Sequence, residues 1–383
     1  MSVKNSVIIV GGGIMGVQTA YHLALLGHTV TILDQRDVPN QWAASGDHLR
    51  VFRLTYGKDA FYTEMALKAL PMWLELNVLS EETLLLQNGV LELAPKAAGY
   101  EAQSLSVLKD RKIRFEKLTP PDVKKRYPMY RSGAFKWALF HPDGGMIWAS
   151  RAVAATASIA QRKGVKIRNG VRVVSVQKDK TGIKSVKDAT GKVWEADKFL
   201  FAAGYWSNEL LKPWGVPIKI TKQEQLFLRP QEGRGRYRPE HFPVFASQAS
   251  GFYGFPVHIQ GFIKIGDHRK GPVVKAANPD EQRTLAPKFE ASCRKFLKQF
   301  MPELANFVDF EGHVCWYDNT PDDDFIMDRL PDAPNGFVAA GFSGHGFKFA
   351  PIVGKSMAEL IVGGKSELNL HRFRLGRFKL KKA

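Results

Sequence analysis

The chain has 383 residues, of which 44% are hydrophobic and 24% charged, values ordinary for a folded globular protein and long enough for two domains. Only two cysteines occur, Cys293 and Cys315, which excludes a disulfide framework and a four-ligand zinc site; no metal site is expected. The formal net charge of +18 is spread along the chain, with clusters only at 270–275 and 372–382 and no zinc finger or aromatic RNP signature, so a basic surface is expected rather than nucleic-acid binding.

In chain order, Ser6–Val10 is a short continuous apolar run suited to a buried parallel strand, and Thr29–Leu33 reads as its partner. Between them Met15, Ala20, Leu23 and Leu26 recur at helical spacing, and Gly27 closes the helix. The run 7–10 breaks into glycines where a signal sequence would stay apolar, and no segment reaches membrane-spanning length; a soluble, cytoplasmic protein is expected. Residues 61–79 read as helix and 89–93 as strand. Next come a helix over 151–162, strands at 166–167 and 171–176, and a buried strand over 198–203 ending at Gly204. Alternating strands at 225–228 and 262–265 follow, and Cys293 falls in an amphipathic helix where packing explains it. Near the end, strand 337–340 runs into Gly341-Phe342-Ser343-Gly344-His345-Gly346-Phe347-Lys348-Phe349, ahead of a helix over 353–361. Three glycines in the first six residues of that loop describe a backbone that approaches something closely.

Strand-helix alternation interrupted twice by β-rich stretches predicts an α/β fold. A discontinuous Rossmann-like domain is expected from residues 1–57, 141–215 and 313–383. An interleaved mixed α+β, antiparallel-sheet substrate domain is expected from 58–140 and 216–312.

Gly11-Gly12-Gly13-Ile14-Met15-Gly16 contains G-x-G-x-x-G directly after a strand and opening a helix. Gly11 allows the tight turn, Gly13 lets a pyrophosphate approach the backbone, and Gly16 permits close helix-strand packing. The helix N-terminus offers unpaired N–H groups to the phosphates. Asp34, about twenty residues on at the end of the second strand, is placed to accept from ribose hydroxyls and disfavours a 2′-phosphate. The fingerprint predicts dinucleotide binding without separating FAD from NAD.

Taken together, the glycine fingerprint, Ser45-Gly46-Asp47 with Arg50 and Arg53, Phe252-Tyr253-Gly254-Phe255-Pro256, Lys264-Ile265-Gly266-Asp267-His268, Cys315 through Asp322 and the Gly341 loop resemble the D-amino-acid-oxidase-like FAD superfamily. Within it the chain resembles the monomeric sarcosine oxidase, N-methyltryptophan oxidase and pipecolate oxidase group, nearly end to end. The resemblance implies a FAD-binding domain, FAD attached covalently through Cys315, and an oxidase of the C–N bond of a secondary or N-methyl amino acid. Oxygen would be reduced to hydrogen peroxide by a monomer without membrane or nucleic-acid partners.

The resemblance also implies roles for single residues. Arg53 and Lys348 would clamp the substrate carboxylate, with Arg50 nearer the flavin and Tyr317 bordering the substrate cavity. Lys264 would promote the reaction with oxygen and His268 would polarise the amine or carboxylate. Gln35, Ser45, Gly204, Trp206, Gly344, Gly346 and Phe347 would join Gly11, Gly13, Ile14, Met15, Gly16 and Asp34 around FAD, and the backbone of Val173 would meet adenine. One departure stands out: His48 and Leu49 both separate Asp47 from Arg50, where the group commonly has a single residue. Other readings stay open: Cys315 as a small buried residue at a strand end, Lys264 snorkelling to solvent, and His268 and Tyr317 as packing residues. Oxidation of primary L-amino acids, a dehydrogenase with another acceptor, and action on an N-carboxymethyl tRNA base are the alternative functions.

Overall fold

The computed structural model describes residues 4–231, 233–274 and 283–379; Lys275, Lys381 and Lys382 of the basic clusters lie outside the described residues. The apolar run Ser6–Val10 becomes a strand of a six-stranded sheet. Its neighbours are Thr29–Leu33 on one side and Lys198–Phe201 on the other, both parallel to it. Lys166–Arg168 and Ala333–Ala340 extend the sheet in parallel, and Ile326–Leu330 closes one edge antiparallel. Strands with both faces covered can be apolar throughout, which is why these segments do not alternate.

Helix Ile14–Leu25 lies on one face, packed between the helices Ala149–Arg162 and Ala350–Gly363. Leu26, placed by its spacing on the helical face, is instead the half-exposed cap residue. The crossing with Ala350–Gly363 is close because Gly354 has no side chain: a Cβ there would stand 2.6 Å from Gln18. The opposite face of the sheet packs on a three-stranded antiparallel meander, Val173–Asp179, Gly182–Asp188 and Val193–Glu195, through Val173, Ile183 and Val186.

A second, eight-stranded sheet holds Phe310–Asn319, Lys219–Leu228, Ile263–Asp267, Phe252–Val257, Val244–Ala246, Val90–Ala94, Trp137–His141 and Glu116–Leu118, in that order. Its pairings are antiparallel except that between Val244–Ala246 and Val90–Ala94. Helix Pro287–Phe300 covers one face with Cys293, Phe296, Leu297 and Phe300, so Cys293 is core packing. Cys315 sits within the ten-residue strand Phe310–Asn319, opposite Gln223, rather than at a strand end. A small sheet of Leu49–Phe52, Gly145–Trp148 and Leu85–Leu86 carries Arg50. Among the described residues no helix is long and apolar enough to cross a membrane.

The candidate active site

The first βα turn opens a cleft of about 1190 Å³, counting its open mouth. Gly11 turns at φ +109°, and a Cβ there would stand 2.4 Å from the Ala202 carbonyl oxygen, so only glycine fits between the two strands. Gly16 lies behind the cleft wall, where a Cβ would stand 1.9 Å from the Gly11 oxygen; its task is packing. Gly11, Gly13, Ile14 and Met15 line the cleft, and the N-cap residue of the helix that follows, Gly13, has no side chain of its own to cap it. Ser45 Oγ lies 3.4 Å from the Ile14 amide.

Asp34 and Gln35 line the far end. The Asp34 carboxylate accepts from the Gly12 amide (2.6 Å) and the Arg36 amide (2.9 Å), which pins the turn and leaves lone pairs for a further donor. Burial raises its pKa, against those two amides. Val173, Gly204 and Trp206 form the side wall. Gly204 has φ +54° with open space where a side chain would be.

A second cavity, about 710 Å³ with its mouth, lies on the eight-stranded sheet beyond the first. Arg50, Tyr317, Gly344 and Phe347 line both, so the two spaces share a wall. Gly344 has φ +75°, and a Cβ there would stand 2.1 Å from the Tyr317 ring; the loop backbone is thus pressed onto Tyr317. The loop is also held from below, because Trp73 in helix Ala60–Ser80 donates from Nε1 to the Lys348 carbonyl at 2.7 Å. Gly346 faces the first cleft, while Arg53, His268 and Lys348 face the second.

Charge is distributed unevenly around this wall. Asp47, fully buried, ion-pairs with both Arg50 and Lys264. Burial alone would raise its pKa, but the two cations hold it well below the ordinary carboxylate range. Lys264 is 0% exposed, which excludes snorkelling, and also donates to the Leu49 carbonyl at 2.9 Å. Burial lowers its pKa to about 8, opposed by Asp47.

Arg53 donates to the Tyr100 hydroxyl (2.6 Å) and lies 3.7 Å from Glu92, whose own pKa is pushed up to about 7 by burial. Lys348, 5% exposed, donates to the His345 carbonyl at 2.9 Å, and no carboxylate among the described residues lies within ion-pairing distance of it. Burial, then Arg53 and Arg50, draw its pKa well below the ordinary lysine value. His268 is kept neutral, with a pKa near 3, by burial and by the charges of Arg53, Lys348 and Lys270.

Cys315 lines neither cavity. Its Sγ lies 3.7 Å from the carbonyl of Ala44, a cleft residue, and burial raises its pKa against the pull of Arg50 and Lys264. Asp47, Glu92, Tyr100 and Gln225 belong to the arrangement but were given no role by sequence reasoning. A signal existed for Glu92, an acid inside the apolar strand Val90–Ala94.

A family model described as FAD dependent oxidoreductase (DAO) matches residues 6–360. The chain belongs to this family. It is 30% identical over 388 aligned residues to the monomeric sarcosine oxidase of Bacillus sp. (strain NS-129), covering 100% of this chain and 99% of that one. It is 29% identical to the N-methyl-L-tryptophan oxidase of Salmonella dublin, covering 98% and 99%. Among solved structures, L-proline dehydrogenase from P. horikoshii superposes with a TM-score of 0.88 over 99% of both chains at 22% identity, a likeness of fold. Fructosamine oxidase (Amadoriase II) from Aspergillus fumigatus superposes with a TM-score of 0.82 at 25% identity, over 97% of this chain and 89% of that one.

The chain is therefore an FAD-dependent oxidoreductase of the D-amino-acid-oxidase fold, and the resemblance to the sarcosine and N-methyltryptophan oxidases stands. The cleft fits FAD on its own terms. The helix N-terminus, with glycine as its N-cap, presents donors to a pyrophosphate, Asp34 keeps acceptor capacity for a ribose, and the open space at Gly204 leaves the side wall clear.

Proposed function

We propose that the chain oxidises the C–N bond of a secondary or N-methyl amino acid and uses oxygen as acceptor. The observation that carries this reading is the buried Lys348 amine, next to Arg53 and with no carboxylate among the described residues within ion-pairing distance, in a cavity sharing a wall with the FAD cleft. An isolated buried cation is costly unless a counter-ion arrives, and a substrate carboxylate supplies one. Arg53 adds two parallel N–H donors matched to a carboxylate. The same surplus of positive charge disfavours a protonated amine, so the cavity selects the neutral amine whose lone pair the oxidation needs. Neutral His268 orients that amine without adding charge.

The glycine turn would hold the FAD pyrophosphate, Asp34 a ribose, Val173 the adenine, and Gly344 and Gly346 the flavin pyrimidine through backbone N–H groups. When bound, FAD would supply the two-electron acceptor for the hydride on the carbon beside nitrogen and the donor that, with the amine proton, reduces oxygen to hydrogen peroxide. The substrate leaves as an imine that water hydrolyses. Lys264 supplies a fixed positive charge on the oxygen side. Cys315 is the covalent tether, a reading supported by its place against Ala44 on the cleft wall. We also propose a monomer with a FAD domain of residues 1–57, 141–215 and 313–383 and a substrate domain of 58–140 and 216–312.

Relatives named sarcosine oxidase and N-methyl-L-tryptophan oxidase support an N-methylated substrate over a primary amino acid. An anaerobic screen of N-methyl, cyclic secondary and primary amino acids, read by loss of flavin colour, tests the choice. Bleaching by N-methyl or cyclic members is expected, with peroxide formed on admitting air. A response confined to primary amino acids, or none, refutes it.

A further inference from the structure

Gln225 stands on the wall of the second cavity, on strand Lys219–Leu228, and is only 3% exposed. Its neighbour on the same face, Gln223, is spent on structure: Nε2 donates to the Arg269 carbonyl (3.1 Å) and Oε1 accepts from the Gly271 amide (2.8 Å). Gln225 differs, since its buried Oε1 has no hydrogen-bond partner. On the strand beside it Gln225 pairs with Gly266, which has no side chain to bond the amide and is covered by the Tyr253 ring, 2.7 Å from the place of a Cβ.

A buried amide oxygen without a donor costs free energy, and native proteins keep few of them. A second orphan lies on the same wall: His345 sets Nε2 against the Asp323 carbonyl at 3.1 Å, which puts the proton there and leaves the buried Nδ1 an unpaired acceptor. Two residues that line this cavity, whose cations would take a carboxylate, therefore each hold a buried acceptor without a donor.

We infer that Gln225 is a specificity-determining residue that accepts a hydrogen bond from an O–H or N–H carried by the substrate beyond its carboxylate and its reacting nitrogen. The inference rests on the proposed amino-acid oxidase reading. The reacting nitrogen must lie by the shared wall of Arg50, Tyr317, Gly344 and Phe347, and Gln225 lines the second cavity alone. Its partner is thus a distal group, and the substrate class is an amino acid with a hydrogen-bond-donating side chain or nitrogen substituent. A purely aliphatic substrate would leave the acceptor unpaired, and sites built to bond a hydroxyl reject analogues that lack it.

The test is a binding measurement, so it does not depend on turnover. The yellow holoenzyme is titrated with 4-hydroxybutanoate and with pentanoate, which differ by a hydroxyl against a methyl, and Kd is read from the flavin absorbance change. The wild type should bind the hydroxyl-bearing ligand about tenfold to one hundredfold more tightly. Gln225→Met should bring the ratio to about one while leaving pentanoate affinity unchanged. Equal affinities in the wild type, which need no variant, overturn the inference, as does an undiminished ratio in a folded Gln225→Met. Binding with this preference but no flavin bleaching by any amino acid would defeat the oxidase reading and leave the Gln225 contact standing.

Discussion

Lys348→Met removes a buried amine of the second cavity that has no carboxylate among the described residues within ion-pairing distance. A hydrogen bond between charged partners contributes about 1.5–3 kcal/mol, so the variant should bind a small carboxylate such as pentanoate about 10- to 150-fold more weakly. Stability should move the other way. Burial holds the Lys348 pKa well below its unfolded value, so the folded chain binds fewer protons than the unfolded chain over that interval. Stability of the ligand-free protein then rises with pH toward the ordinary lysine range, and below it the buried charge costs stability. Methionine keeps the stem and removes the charge, so the variant should melt no lower than wild type at neutral pH and should lose this alkaline gain. Pentanoate, by pairing with the ammonium, favours the charged form and is bound with proton uptake. The assays are a spectral titration of the holoenzyme, thermal melting across pH, and calorimetry in buffers of different ionisation enthalpy. Unchanged carboxylate affinity, or a clear loss of stability without a loss of affinity, would refute the clamp and make Lys348 a packing residue.

Cys315→Ala should leave FAD bound but extractable, so that acid precipitation gives a colourless pellet and a yellow supernatant where wild type keeps its colour in the pellet. A colourless wild-type pellet removes the tether. Lys264→Met should slow the reaction of substrate-reduced enzyme with oxygen by about 10²-fold in stopped flow, with anaerobic reduction by substrate little changed; equal effects on both would count against the oxygen role. Glu92 has a folded pKa near 7, above its unfolded value of 4.5, so its favourable contribution is complete below 4.5 and disappears as pH rises through 7. Glu92→Gln should accordingly flatten the pH dependence of the melting temperature in that window and gain up to about 3 kcal/mol over wild type at pH 8. A parallel pH profile in the two proteins would contradict the buried charge.

The readable part of this fold is its local part. Ser6–Val10, Gly11 to Gly16, helix Ile14–Leu25, Thr29–Leu33 and Asp34 follow one another within about thirty residues, and each carries its own periodic or turn signal. The glycine loop at 341–346 is legible for the same reason, since its backbone demand is written in the residue type. What pairs with what across the chain is not. Lys264 reads as an unexplained cation in an apolar strand, and its counter-ion Asp47 lies 217 residues away in a loop that sequence reasoning gave no charge to balance. In the sequence the strand Phe310–Asn319 shows only as a strand end at Cys315, and its ten-residue pairing with Lys219–Leu228, which turns Cys315 toward Ala44 and Tyr317 toward both cavities, is a tertiary fact.

Gln223 and Gln225 make the limit plain. They are the same residue type, two apart on one strand face, and nothing local separates them. Gln223 meets the backbone of residues 269–271 and is consumed by it, whereas Gln225 meets Gly266, which has no side chain to donate to it. The difference in chemistry between them comes from the neighbouring strand, so a substitution that fills Gly266 should alter ligand preference through Gln225 without touching the residue itself. Gly266→Ala would push the Tyr253 ring, 2.7 Å from the new Cβ, out over the cavity floor. If 4-hydroxybutanoate and pentanoate then lose affinity equally, the acceptor acts independently of the Tyr253 ring; a selective loss of the hydroxyl-bearing ligand ties the specificity to the packing of that ring on Gly266.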